Sequence, residues 1–180
     1  MRAIELFAGA GGLGIGVSRA GFNPEAVIEW DNYCCDTIRE NQARKLEPIV
    51  HWPLFHGDVR DFDFRSVRGD IDLVSGGPPC QPFSLGGKHR GPLDDRDMFP
   101  QAIRAVRELK PKSFIFENVK GLTRASFANY LEYIRLRLTY PELVERRAEA
   151  WEDHLARLER HHTRGKHNGL HYHIVMRTLN

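Results

Sequence analysis

The chain has 180 residues, of which 41% are hydrophobic and 28% are charged, so it has room for one domain with a substantial core but hardly for two. No apolar run is long enough to cross a bilayer, and no charged leader followed by an apolar stretch opens the sequence. The three cysteines show neither a disulfide framework nor a zinc-binding spacing. We therefore expect a single domain over residues 1–180 that functions in the cytoplasm without a membrane anchor or a metal.

Charge is unevenly distributed along the sequence. Residues 1–80 carry 8 Lys and Arg against 12 Asp and Glu (net −4), whereas residues 81–180 carry 18 against 12 (net +6). This asymmetry favours a polyanionic partner for the later part of the chain, although a pair of solvated helix faces would produce the same imbalance.

Short apolar runs alternate with helical repeats along the chain. Strands are predicted for residues 3–7, 26–28, 54–55, 70–75 and 113–116, with a further strand-like run at 172–179. Helices are predicted for residues 13–20, 32–41, 98–109 and 130–160, the last with a break at Pro141. Residues 76–97 lack periodicity and predict a long loop, which in a compact domain is usually functional or disordered. The alternation predicts an α/β fold, a mostly parallel sheet with helices on both faces.

A glycine-rich segment follows the first predicted strand. Gly9, Gly11 and Gly14 have the spacing G-x-G-x-x-G, which lets the backbone turn sharply into a helix and approach a ligand closely. The N–H groups at the start of that helix favour an anionic group. The motif fits nicotinamide, flavin and S-adenosylmethionine (SAM) sites alike, so it predicts a cofactor site without choosing between them.

Acidic and aromatic residues follow the next two predicted strands. Glu29 ends the second strand, where a carboxylate can accept hydrogen bonds from ribose hydroxyls. Trp30 offers a flat face for an adenine, and simple packing explains it about as well. Asp58 could accept the adenine amino group or could instead cap a turn. Because ligands of parallel α/β sheets bind beyond the carboxyl ends of the strands, these residues extend the predicted cofactor site.

The most informative segment is GGPPCQPFS, residues 76–84, after the fourth predicted strand. Its prolines stiffen the backbone and present the Cys80 thiol at a fixed point beyond the sheet, where it is accessible as a nucleophile. Cys34 and Cys35 lie on a predicted helix, where packing is the better explanation. Glu117 ends the fifth strand and would lie beside Cys80 if the fourth and fifth strands are neighbours. One pocket would then hold a nucleophile and a carboxylic acid.

The order and spacing of these segments resemble the motif series of the cytosine-C5 DNA methyltransferases. The resemblance covers about residues 1–122 and rests on residues 7–14, 29–31, 57–59, 79–84 (PCQPFS) and 117–121 (ENVKG). It implies a Rossmann-like SAM-dependent methyltransferase domain that acts on a cytosine flipped out of double-stranded DNA. Cys80 would attack C6 of that base, Glu117 would hold or protonate N3, and a methyl group would pass from SAM to C5. Asn118 would brace the turn that positions the nucleophile.

The resemblance also implies the residues of two binding surfaces and a place in the cell. The cofactor would contact Phe7, Gly9, Gly11, Gly12, Leu13, Glu29, Trp30, Asp58, Val59 and Pro79. DNA would contact the loop after Cys80, through Gln81, Ser84, Lys88, Arg90 and Arg96. Cations of that loop would then lie near phosphates. The protein would be prokaryotic and cytoplasmic, and associated with the nucleoid through DNA.

The sequence departs from the family pattern in two places. The segment 96–99 (RDMF) is one residue shorter than its family counterpart. Residues 171–180 resemble the strand that leads into the next family motif, but that motif's arginines, the target-recognition domain and the last cofactor segments do not follow. We therefore expect either one subunit of a split methyltransferase, completed by a complementary C-terminal subunit, or a fragment. By itself, such a chain is expected to have little methyltransferase activity.

Three other functions fit parts of the sequence. A tRNA cytosine-C5 methyltransferase would carry similar motifs around Cys80 and Glu117, and a non-catalytic SAM- or DNA-binding remnant would keep the fold. A nicotinamide-dependent oxidoreductase would explain the glycines and Glu29 but would leave Cys80 and Glu117 without roles. Six of the nine histidines lie in residues 154–173, in a pattern more typical of exposed helix and loop histidines than of a metal site.

Overall fold

The computed structural model describes residues 1–79, 97–165 and 168–179. The chain divides into two compact units that are interleaved in sequence. The first unit comprises residues 1–79 and 108–117, and the second comprises the described parts of residues 80–107 and 118–180. Among the described residues, none of the helices has the length and apolar character needed to cross a membrane.

Strands and helices alternate along the described chain, as the sequence predicts. The strands are β1 (Arg2–Leu6), β2 (Asn23–Glu29), β3 (Leu54–His56), β4 (Leu73–Gly76) and β5 (Ser113–Phe116). The α-helices are α1 (Gly12–Arg19), α2 (Asn32–Ala43), α3 (Phe99–Leu109), α4 (Ala128–Thr139) and α5 (Trp151–Thr163). Short 3-10 turns connect several of these elements.

The five strands form one parallel sheet in the order β3-β2-β1-β4-β5. Leu6 at the end of β1 is in register with Ile28 of β2 and Gly76 of β4, and Gly76 is in register with Phe116 of β5. The carboxyl ends of the strands therefore lie along one edge of the sheet. The strand order reverses between β1 and β4, which is where ligands bind in sheets of this kind.

Alternate residues of the central strands are buried on both faces of the sheet. On one face Ala3 packs with Val17 of α1, and Val27 packs with Ile38 of α2. On the other face Ile4, Leu6 and Val74 have no exposed surface. Each fully buried aliphatic side chain of this kind contributes about 1.5–3 kcal/mol through the hydrophobic effect. A sheet with both faces covered is typical of all-parallel α/β folds and confirms the predicted class.

Two helix boundaries are set by local side-chain and backbone chemistry. Asp31 caps the start of α2, because its Oδ1 accepts the Cys34 N–H at 2.9 Å. Gly21 directly follows the cap residue of α1 with φ +90°, a backbone conformation that glycine adopts without a steric penalty. The loop before β2 and the start of α2 are thus fixed by local chemistry.

The second unit uses its charged residues internally. Tyr133 on α4 donates its hydroxyl proton to Glu145 at 2.8 Å, and the same hydroxyl lies 2.9 Å from Nδ1 of His154 on α5, which is completely buried. The hydrogen bond from His154, together with the Arg137 cation, lowers the pKa of Glu145 to about 2. The region 130–160 therefore forms two helices that are interrupted at the predicted break near Pro141, and these helices bury part of their charged side chains against each other.

One sequence prediction about the fold is wrong. Residues 172–179 read as a strand, but the structure gives them no regular secondary structure. The Tyr172 N–H donates to the carbonyl of Thr139 at the end of α4. Apolar patterning alone does not make a strand, because a strand also needs a neighbouring backbone to pair with.

Candidate active site

The loop after β1 is held in a conformation that requires glycine. Phe7, Gly9 and Gly11 have positive φ angles of 53°, 56° and 95°. A Cβ built on Gly11 would lie 2.7 Å from Cζ3 of Trp52, whose ring is buried. Trp52 also lies under Gly14, where a Cβ would be 3.0 Å from the ring. The close approach of Trp52 therefore excludes any side chain at Gly11.

The outer side of the same loop is open. A Cβ at Gly9 or at Gly12 would meet no atom of the described residues within 4 Å. Gly12 begins α1, and the cap residue Gly11 offers no side chain to the first N–H groups of that helix. Space above the backbone and uncapped N–H groups are what a polar ligand needs at this position.

Glu29 joins the ends of β1 and β2. Its carboxylate accepts the N–H of Gly9 at 2.7 Å and the N–H groups of Trp30 and Asp31 at 2.8 Å each, and the residue is only 7% exposed. A carboxylate has about four acceptor positions, so among the described contacts one remains for a ligand hydroxyl. Glu29 thus shapes the glycine loop, in addition to the ribose contact predicted for it.

Trp30 and Asp58 lie near Glu29 at neighbouring strand ends. The Gly57 N–H donates to the Glu29 carbonyl at 2.8 Å. Trp30 is 66% exposed, which argues against core packing as the reason for a tryptophan there. Asp58 caps the turn of residues 59–61 through the Arg60 N–H at 2.8 Å and also forms an ion pair with the Arg60 side chain. The turn-capping role is therefore present, and adenine binding by Asp58 stays a prediction.

The remaining predicted cofactor residues lie at the same edge of the sheet. Leu13 is half-buried in the first turn of α1, where it packs against the cluster of Ala3 and Val17. Val59 is buried, and Pro79 is exposed at the end of the described segment. The contacts of these three residues with a cofactor stay predictions.

A buried acid lies beneath the glycine loop, and the sequence reasoning missed it. Glu5 on β1 is 3% exposed, and its carboxylate accepts the hydroxyl proton of Ser75 on β4. A Cβ on Gly14 would lie 3.5 Å from its carboxyl carbon. Burial raises the pKa of Glu5 to about 7, and the Ser75 hydrogen bond lowers it only in part. A glutamate inside the apolar run AIELF was the signal in the sequence.

The fourth and fifth strands are neighbours, as the argument for a shared pocket requires. The Glu117 N–H donates to the Gly76 carbonyl at 3.0 Å. A Cβ on Gly77 would be 3.6 Å from Oε2 of Glu117, so this exposed carboxylate lies beside the turn that leads into Pro78-Pro79. Asn118 accepts the N–H of its neighbour Val119 through Oδ1 at 2.9 Å. Its bracing role stays a prediction.

Several predicted residues lie outside the described part of the chain. They are the nucleophile Cys80 and the DNA-contacting residues Gln81, Ser84, Lys88, Arg90 and Arg96. Of the other cysteines, Cys35 is completely buried and donates to the Glu29 carbonyl at 3.5 Å, which confirms packing as its role. Partial burial raises the pKa of the Cys34 thiol, which disfavours the reactive thiolate. Within the described residues no group of His, Cys, Asp and Glu is arranged to hold a metal ion.

Together these features define a class of protein. The strand order of the parallel sheet reverses beside β1, a glycine loop follows β1, and a carboxylate follows β2. These three features are typical of Rossmann-like domains that bind nucleotide-containing cofactors. The Glu117 carboxylate lies beside the turn that leads into Pro78-Pro79, at the same edge of the sheet. The chain belongs to the C-5 cytosine-specific DNA methylase family, whose family model matches residues 1–139.

Individual relatives agree with this assignment. The chain is 44% identical over 132 residues to the type II methyltransferase M.NgoMIV of Neisseria gonorrhoeae, covering 73% of this chain and 40% of that protein. It is 39% identical over 148 residues to M.AquIA of a Picosynechococcus strain, covering 78% of this chain and 57% of that protein. The chain therefore matches between two fifths and three fifths of the length of these relatives.

Solved structures share the fold. An Escherichia coli prophage protein assigned to the DNA modification methyltransferases has 29% sequence identity and a TM-score of 0.56, over 74% of this chain and 36% of that one. The S. pombe Dnmt2 methyltransferase has 21% identity and a TM-score of 0.52, over 77% of this chain and 40% of that one. These comparisons confirm the family resemblance and the Rossmann-like methyltransferase fold.

Replacing Gly11 by alanine should destabilise the first unit. A side chain there takes a left-handed conformation and collides with the Trp52 ring, so the free energy of unfolding should fall by about 2 kcal/mol or more. Gly16→Ala is the matched control, because Gly16 lies in α1 with nothing within 4 Å of its Cβ position and should gain up to about 1 kcal/mol. Thermal and urea unfolding measure both changes, and equal effects would contradict this account of the loop.

Glu5 should make stability depend on pH. The folded state keeps this proton up to about pH 7, whereas the unfolded chain releases it near 4.5. Stability from this group is complete below about pH 4.5 and declines as pH rises to about 7, by on the order of 3 kcal/mol in total. Glu5→Gln should remove that decline, which urea unfolding at pH 5 and pH 8 measures. Glu40→Gln, at a side chain that is 61% exposed, should leave the decline as it is in the parent.

Proposed function

We propose that this chain is the cofactor-binding and catalytic part of an enzyme that transfers a methyl group from SAM to C5 of a flipped cytosine in double-stranded DNA. The observation that carries the proposal is the position of Glu117, whose carboxylate lies beside Gly77 in the turn that leads directly to Cys80. Family membership over residues 1–139 supports it. A nucleotide-binding sheet edge, an acid and the adjoining cysteine are then within one reaction centre.

The described residues fit SAM. The open backbone of Gly9 and Gly12 leaves room for the methionine part, and the remaining acceptor position of Glu29 suits a ribose hydroxyl. The exposed indole of Trp30 offers a stacking face for adenine. When bound, SAM supplies an electrophilic methyl group on a sulfonium sulfur.

Cys80 and Glu117 would act on the base itself. The Cys80 thiolate adds to C6 of cytosine, forming an S–C6 bond, and the electron pair of the C5–C6 double bond makes C5 nucleophilic. Glu117 holds N3 and donates a proton there, which stabilises the charge that the ring acquires. After C5 has gained the methyl group, loss of the C5 proton to a base restores the double bond and expels the thiolate, and N3 returns its proton to Glu117. Asn118 holds the turn in place.

The chain matches 40% and 57% of the length of M.NgoMIV and M.AquIA. We propose that residues 1–180 form one catalytic domain that works with a complementary C-terminal subunit or segment carrying target recognition. The loop with Gln81, Ser84, Lys88, Arg90 and Arg96 would contribute DNA contacts. The bacterial relatives support a function in the prokaryotic cytoplasm, on DNA of the nucleoid.

Trp30→Ala should weaken SAM binding by about fivefold to tenfold, because it removes a stacking partner for adenine. Isothermal titration calorimetry with SAM and the 180-residue chain measures the dissociation constant. Tyr33→Ala is the matched control: Tyr33 is also an exposed aromatic residue, 85% exposed, in the first turn of α2, and its loss should change binding less than twofold. Equal losses in the two variants would argue against an adenine site at Trp30.

A Cys80-dependent covalent adduct should form on a duplex that contains 5-fluorocytosine, because fluorine at C5 blocks release of the enzyme. The chain is incubated with SAM and the duplex, with and without the C-terminal portion of M.NgoMIV supplied as a separate polypeptide. Denaturing electrophoresis and mass spectrometry then detect the adduct. Cys80→Ser should abolish it, and Cys34→Ser should not. The absence of any adduct in both mixtures would contradict the mechanism, and an adduct on fluorinated tRNA alone would favour the RNA methyltransferase.

A further inference from the structure

The end of the sequence has a charge pattern that the proposed reaction does not explain. After Glu159 the chain contains no further Asp or Glu, while residues 160–180 contain four Lys or Arg and five His. Cations in the last turn of α5 compensate the partial negative charge of a helix end. That explanation reaches no further than the cap residue Arg164, so it does not account for Arg177.

The described structure brings the end of α5 and the start of the last segment to one turn. On α5, the His161 ring packs edge-on against Tyr140 with ring centres 4.9 Å apart, and Nδ1 of His162 lies 2.7 Å from the Tyr140 hydroxyl. In the last segment, the Tyr172 N–H donates to the Thr139 carbonyl at 2.9 Å. Both the end of α5 and the last segment therefore contact the same turn, Thr139-Tyr140.

Six side chains of this region are exposed, and we call them the cationic surface: Arg160, His162, Arg164, His171, His173 and Arg177. Two acids near this surface have described partners. Glu132 forms an ion pair with Arg135 at 2.5 Å, and Glu142 accepts the Leu170 N–H at 3.1 Å. Even when Glu142 and the exposed Glu159 are counted against Arg160, Arg164 and Arg177, the surface keeps a net positive charge.

We propose that the cationic surface binds the sugar-phosphate backbone of duplex DNA without reading its sequence. The proposal rests on the function proposed above and adds a second contact surface for the DNA substrate. Exposed arginines suit phosphate contacts. Proteins that hold single strands stack bases on exposed aromatic rings, but here Tyr140 is 4% exposed and Tyr172 is partly buried. The chemistry therefore favours a duplex backbone over unpaired nucleotides.

The test compares two triple variants that remove the same charge. Arg160→Gln, Arg164→Gln and Arg177→Gln are combined in one protein, and Arg19→Gln, Arg44→Gln and Arg65→Gln, all exposed in the first unit, are combined in the control. Fluorescence anisotropy with a labelled duplex of A·T pairs only measures affinity at several salt concentrations. That duplex has no cytosine, so base flipping by the proposed reaction cannot contribute.

The first triple variant should bind this duplex at least about tenfold more weakly than the parent at moderate salt. The slope of log affinity against log salt should fall by about 2 to 3, because three phosphate contacts are lost. The control should stay within about twofold of the parent. Circular dichroism checks that both variants are folded, as expected for substitutions of exposed side chains.

Several outcomes would overturn the proposal. Equal losses in both triple variants would mean that only net charge matters, and no loss in the first variant would mean that the surface does not bind DNA. Tighter binding of single strands or tRNA than of the duplex would assign another nucleic acid to it. Failure of the proposed reaction can be distinguished from failure of this proposal. In that case the chain would form no Cys80 adduct, but the first triple variant would still bind the duplex more weakly than the parent.

Discussion

The carboxylate of Glu29 holds the central feature of this molecule in place. By accepting N–H groups from Gly9, Trp30 and Asp31, it links the loop after β1 to the end of β2. Hydrogen bonds to an ionised acceptor are about twice as strong as neutral ones, and this acceptor is almost fully buried. The open backbone at Gly9 depends on that link, so the same side chain both builds the cleft and presents an acceptor position to it.

Much of the fold was predictable because local and long-range requirements agree. The apolar runs of β1 and β4, the cap at Asp31 and the glycine after α1 each specify one conformation, and each is found in the structure. The alternation of strands and helices then leaves a parallel sheet as the natural outcome. The neighbouring positions of β4 and β5 bring Glu117 beside Gly77, at the end of β4. The sequence motifs were informative because each sits at the end of a strand.

Other features depend on contacts between distant residues, and the sequence pattern did not reveal them. Trp52 lies in an irregular stretch, and only the folded chain shows that it underlies Gly11 and Gly14. The hydrogen bond between Glu5 and Ser75 joins residues 70 positions apart. Residues 172–179 have strand-like patterning, but their described backbone contact is with the end of a helix. The periodicity of a sequence indicates which face of a strand or helix is apolar, but it does not identify the residues that pack against that face.

The interleaving of the two units has a practical consequence for anyone who prepares shorter versions of this protein. The polypeptide passes from one unit to the other after Pro79, Arg107 and Glu117, so no single cleavage yields either unit intact. In the intact chain, β4 is buried along its whole length. A version that stopped at Pro79 would lose β5, and β4 would then form an unpaired edge of the sheet. Bare apolar edges recruit strands from other molecules. Such truncated proteins would be prone to precipitate, and limited proteolysis is a poor route to a minimal cofactor-binding domain.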